Sequence, residues 1–122
     1  MTTILQARDE LAAALVAGSV AIADSPGGKA PPYGVIFGEG LAGDANVMRG
    51  QARASFRVTL ISGGWETAVA GRILTGMVQS TIGVIKALDG WQLVDVRRDN
   101  VIAISAGQML GCDVIASRLV DI

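Results

Sequence analysis

Two clusters in this sequence have residue types and spacing that chemistry would require. Gly38-Glu39-Gly40-Leu41-Ala42-Gly43 has the G-x-G-x-x-G spacing that lets a backbone approach a pyrophosphate seated on a helix N-terminus. Arg53 and Arg57 stand four residues apart with Arg49 before them, a basic stripe suited to a passing polyanion or to acidic groups on a neighbour. The first cluster lacks its context. A dinucleotide site needs its third glycine to open a helix and an acidic residue about 20 positions further on. Here the segment from Asp44 to Gly50 is too short and too glycine-bounded to be that helix, and a strand follows it. The motif therefore reads as a flexible glycine loop, and the simpler reading of the arginine pair is a solvated strand face. Cys112 has no histidine to activate it, because the chain contains none, and it reads as a small buried hydrophobe. With the commonest general base and the commonest metal ligand missing, no catalytic residue, metal or cofactor is expected and the chain reads as a non-enzyme.

The elements that position these residues follow from periodicity. From Gln51 to Ile61 the sequence alternates strictly, with Ala52, Ala54, Phe56, Val58 and Leu60 on one face and Arg53, Ser55, Arg57 and Thr59 on the other. Trp65 to Leu88 is a long amphipathic helix whose apolar half holds Val69, Ala70, Ile73, Leu74, Met77, Val78, Val84, Ile85 and Leu88. Its polar stripe, Arg72, Gln79 and Lys86, is thin, so the apolar arc exceeds what one sheet face needs and leaves surface for a neighbouring subunit. Phe56 is expected to pack on Ile73 and Met77. Thr2 or Thr3 caps a first helix through Ile4, Ala7, Leu11, Ala14 and Leu15, with Gly18 just past its end. Tyr33 to Phe37 reads as a strand between Pro32 and Gly38, and the glycine-rich stretch from Gly38 to Gly50 as an exposed, mobile loop suited to docking. Ser62-Gly63-Gly64 turns the chain into the long helix and Asp89-Gly90 ends it. Trp91 to Arg98 and Val101 to Ser105 read as a hairpin about Asp99-Asn100, Ala106 to Gly111 as a turn region, and Cys112 to Val120 as a last strand. The expected class is α+β: one domain over 1–122, with a mostly antiparallel sheet of four to five strands packed with one long and one short helix.

Composition narrows the partners. A net charge of −1 with 17% charged residues argues against gripping nucleic acid or an anionic membrane by bulk electrostatics. No uncharged run reaches the roughly 18 residues of a spanning segment, and the early Arg8, Asp9 and Glu10 are unlike a secretion signal. The expectation is a soluble, oligomeric, cytoplasmically made protein with no membrane partner.

Taken whole, the chain resembles the tail-terminator or tail-completion proteins of long-tailed bacteriophages and related gene transfer particles. The resemblance is carried by the Ala-rich helix end at Leu11 to Gly18, the Pro-Pro-Tyr lead into the strand at Pro31 to Phe37, and the glycine loop. It continues through the alternating strand at Ala54 to Ile61, the helix launched by Gly63-Gly64-Trp65-Glu66, and Gly90-Trp91-Gln92-Leu93-Val94-Asp95-Val96 leading to a terminal strand pair. It implies a structural subunit of the virion, assembled in the host cytoplasm into a homohexameric ring. That ring would cap the tail tube protein, end tube polymerisation and meet the head-side connector protein, while DNA passes through the lumen without being read. On this reading Gly38, Glu39, Gly40, Leu41, Asp44, Asn46 and Arg49 are candidates for the subunit or tail-tube interface, and Arg53 and Arg57 for the lumen or an interface. Another component of the head-to-tail neck, and a small cytosolic ligand-binding domain, remain as alternatives.

Overall fold

The computed structural model describes residues 2–23, 32–42, 50–64, 68–97, 100–104 and 107–121. Helix α1 spans Ile4–Ala17. It starts where Thr3 Oγ1 accepts from the Gln6 amide while Gln6 Oε1 accepts from the Thr3 amide, a reciprocal capping box that satisfies two otherwise orphaned donors. Gly18 ends it beside the second helix, where a Cβ would lie 2.5 Å from Val84 Cγ2, so only glycine allows the close approach. Strands β1 (Ile22–Ala23), β2 (Tyr33–Ala42) and β3 (Gln51–Gly64) follow, then helix α2 (Ala68–Ala87) and strands β4 (Gln92–Val96), β5 (Asn100–Ile104) and β6 (Gly107–Asp121). Beyond α2, Gly90 adopts φ +82°, a left-handed conformation that a side chain would strain.

The sheet runs β1-β2-β3-β6-β4, with β5 also paired to β6. Among the described residues only the short β1–β2 contact is parallel; the other pairings are antiparallel. The fold is α+β, as expected. Five local expectations are corrected. β2 continues past Phe37 through Gly38, Glu39, Gly40, Leu41 and Ala42, so the first part of the expected loop is strand laddered to β3. Glycine is a poor strand former, and pairing along the strongly alternating β3 overrides that preference. Gly63 and Gly64 likewise pair with Leu110 and Met109 rather than turning the chain. β4 and β5 do not pair with each other. Both lie along the same edge of β6, Gln92 opposite Ser117 and Ile104 opposite Gly107, so Gly107–Gly111 is strand rather than turn. A 15-residue β6 is long enough to pair both in succession. Finally, Ile73 is 36% exposed rather than a partner of Phe56.

Both helices contribute to a core on one sheet face. Ala7, Leu11 and Leu15 of α1 and Leu74 and Ile85 of α2 join Ala54, Phe56, Val58 and Leu60 of β3 and Cys112, Val114 and Ala116 of β6, with Met77 packed against them. The Phe56 and Trp91 rings lie 5.7 Å apart at 49°. α2 is long and apolar enough by length and composition to cross a membrane, which a count of uncharged runs passes over because Arg72 and Lys86 interrupt it. Its Ala70, Leu74, Thr81 and Ile85 are buried against the rest of the described residues, but only 22% of its apolar window is buried in all. Thr81 Oγ1 is buried with no hydrogen-bond partner among the described residues. Removing an unsatisfied hydroxyl while keeping the shape relieves its desolvation cost, so Thr81→Val is expected to stabilise the fold by about 1 kcal/mol in urea denaturation.

Candidate functional site

The face of the sheet away from the helices carries the two candidate arginines. Alternation along β3 puts Arg53 and Arg57 on this face because Phe56 and Val58 must face the helices. Arg57 sits opposite Phe37 of β2 with its guanidinium 4.8 Å from the ring centroid, and 3.8 Å from the Glu39 carboxylate. Glu39 also meets Arg97 at 3.4 Å, from just past β4, across the two intervening strands β3 and β6. Arg97 in turn lies 4.0 Å from Asp95. Arg53 donates to Gln92 Oε1 at 3.2 Å and to Ser117 Oγ at 3.4 Å, and Thr59 Oγ1 donates to Asp113 Oδ1 at 2.7 Å. On this face Arg57 and Arg97 are matched by Glu39 and Asp95, Arg53 bonds the neutral Gln92 and Ser117, and beside them Tyr33, Val35 and Ile61 are buried in an apolar cluster with Phe37. Such a face neither grips nor strongly repels a polyanion, which is a different property from the free basic stripe the spacing of Arg53 and Arg57 offers.

The glycine cluster builds a second feature, on the other face. The β2–β3 register shifts between Gly38 and Gly40, so Gly38 opposes Phe56, Gly40 opposes Ser55 and Leu41 opposes Ala54. That bulge keeps Glu39 on the polar face and moves Leu41 to the helix-packed face. There Leu41, 54% exposed, lines a groove of about 270 Å³ together with Ile4, Gly38, Gly40, Ala54 and Phe56, and Glu39 and Ser55 line it too. A Cβ at Gly38 or Gly40 would meet nothing within 4 Å, so neither glycine is demanded by packing.

The structure therefore brings Gly38, Glu39, Gly40 and Leu41 to one groove, with Glu39 also paired to Arg57 on the polar face that carries Arg53. Asp44, Asn46 and Arg49 lie outside the described residues. The sequence reading missed Arg97 as a partner of Glu39 and Ile4 as a wall of the groove. Arg97 is legible only once β4 is known to lie two strands from β2, and no local signal carries that. Among the described residues no group of three or more His, Cys, Asp or Glu is placed to hold a metal ion. The arrangement is suited to packing and charge matching.

No protein-family model matches the chain. No curated protein matches it either. Among solved structures, the type 4 fimbrial biogenesis protein PilO from Pseudomonas aeruginosa is similar in outline, with a TM-score of 0.44 and 7% sequence identity over 100% of this chain and 72% of that one. A likeness of that size carries no argument about what this chain does.

Proposed function

We propose that this chain is a structural subunit of the tail-terminator kind, which assembles into a closed ring at the end of a phage tail tube, stops tube growth and meets the head-side connector. The observation that supports the reading is apolar surface left open at two separate places. Val69 and Ile73, 66% and 36% exposed, lie on the outer side of a core helix that begins just after β3 ends. Leu41 and Ile4, at 54% and 40%, share a groove near the start of β3, where Leu41 opposes Ala54. Two unlike patches at opposite ends of one strand favour a head-to-tail contact, and a head-to-tail contact that closes is a ring. The order of helix, two long strands, helix and terminal hairpin agrees with the resemblance that motivates the reading. Six copies is the number the resemblance implies, and a lumen lined by the partly charge-matched polar face would let DNA pass without holding it.

Sedimentation at micromolar concentration, with and without tail tube protein, tests this. The expected result is one discrete oligomer in at least one of the two conditions, with tube assembly halted when it is added. A monomer in both, and tubes of unaltered length, would overturn the proposal.

A further inference from the structure

Among the described residues the sheet ends in two open edges, and their directions match. β1 covers only Gly34 and Val35 of β2, so among the described residues the stretch 37–42 is hydrogen-bonded to a strand on one side alone. At the far side, β4 pairs with β6 and with no other described strand. Because β2, β3, β6 and β4 alternate in direction, β4 runs antiparallel to β2. An unpaired edge presents a row of backbone donors and acceptors that seeks a partner strand. We infer that the subunits join by strand addition, β4 of one copy pairing antiparallel with residues 37–42 of the next, which is a second copy of this chain as occupant; the inference rests on the ring reading above.

Three observations favour that occupant. The lengths match, since β4 has five residues and the free stretch 37–42 is of similar length. The faces match as well. Leu93 and Val96 of β4 oppose Ala116 and Val114, which places them on the helix-packed face, and Val96 is 38% exposed. In a continued sheet that face of β4 meets the helix-packed face of β2, where Leu41, Ile4 and Phe56 wall the groove. Lastly, the backbone there is accessible, because Gly38 and Gly40 carry no side chain to hold a neighbouring strand away and the space above them is open. Each added copy offers again one free β4 and one free β2, so the contact propagates and closes only if the rotation per subunit divides a full turn.

Cysteine pairing in the full chain tests this, in a Cys112→Ser background that removes the native thiol. Leu41→Cys combined in turn with Val94→Cys, Asp95→Cys and Val96→Cys samples neighbouring registers, all at exposed positions. A disulfide demands Cα atoms within about 7 Å, so only true strand neighbours link. The expected result is a ladder of covalent multimers beyond the dimer from at least one pair on mild oxidation, whereas each single-cysteine variant stops at the dimer. As a second readout, Val94→Lys should keep the parent's far-ultraviolet circular dichroism while shifting the oligomer to monomer, with a melting temperature that no longer rises with concentration. Intact parent oligomers that give no ladder from any pair, and that persist in Val94→Lys, would overturn strand addition and leave the ring reading standing. A parent chain that is monomeric even with tail tube protein would overturn both.

Discussion

Phe56→Ala is expected to lower the free energy of unfolding by about 3–5 kcal/mol, the range for removing an aromatic side chain from a packed core. Phe56 is 2% exposed at the middle of β3, the strand that joins both halves of the sheet. It shares its face with Val58 and Leu60, meets the Trp91 ring and lies in one cluster with Leu74 and Met77. Truncation loses the transfer free energy of the ring and leaves a cavity between two helices and a sheet that cannot all collapse inward. A loss of that size approaches the whole stability of an ordinary domain. Urea denaturation gives the number directly, and an unchanged midpoint would mean that Phe56 does not pack as described.

Leu11→Ala is expected to cost about 2–5 kcal/mol and to act first on α1. A 14-residue helix is marginal alone in water, so α1 depends on docking through Ala7, Leu11 and Leu15, all fully buried. Polar contacts hold its N-terminal end to the last strand. The Thr2 amide donates to Asp121 Oδ2 at 2.8 Å and the Asp121 amide to Thr2 O at 2.7 Å. Glu10 Oε1 accepts from Trp91 Nε1 at 2.5 Å and from Arg118 at 2.8 Å. These contacts fix where α1 lies, but they are partly exposed and cannot replace the lost apolar burial. The variant should therefore show faster amide exchange across α1 than across β3. In a Trp65→Phe background Trp91 emission should also shift to the red as its ring, 7% exposed in the parent, gains water.

Much of the architecture was legible because one strand and two helices carry strong local patterns. The alternation of β3 fixed which side chains face the helices, and Thr2 or Thr3 and Gly18 bracketed α1, although Gly18 keeps φ −85° and the left-handed residue is Ser19. The amphipathic pattern of α2 was legible too, but not which apolar residues meet the sheet: Leu74 and Ile85 are buried, whereas Val69 and Ile73, the latter expected against Phe56, lie outside the core. What local pattern could not carry was pairing. Gly38, Gly40, Gly63 and Gly64 look like loop residues, yet each is paired in a ladder. Turn chemistry at Asp99-Asn100 reads as a hairpin, whereas β4 and β5 both pair with β6 in sequence. Which face Glu39 takes depends on a bulge two residues wide, and a bulge of that kind has no sequence signature beyond the glycines themselves.

Negative-stain imaging of the purified chain mixed with a phage tail tube protein tests the proposed ring most directly. The account predicts closed annuli with a central opening, free or seated on one end of each tube. Particles of monomer size, open filaments, or tubes that carry no annulus and grow unchecked would contradict it.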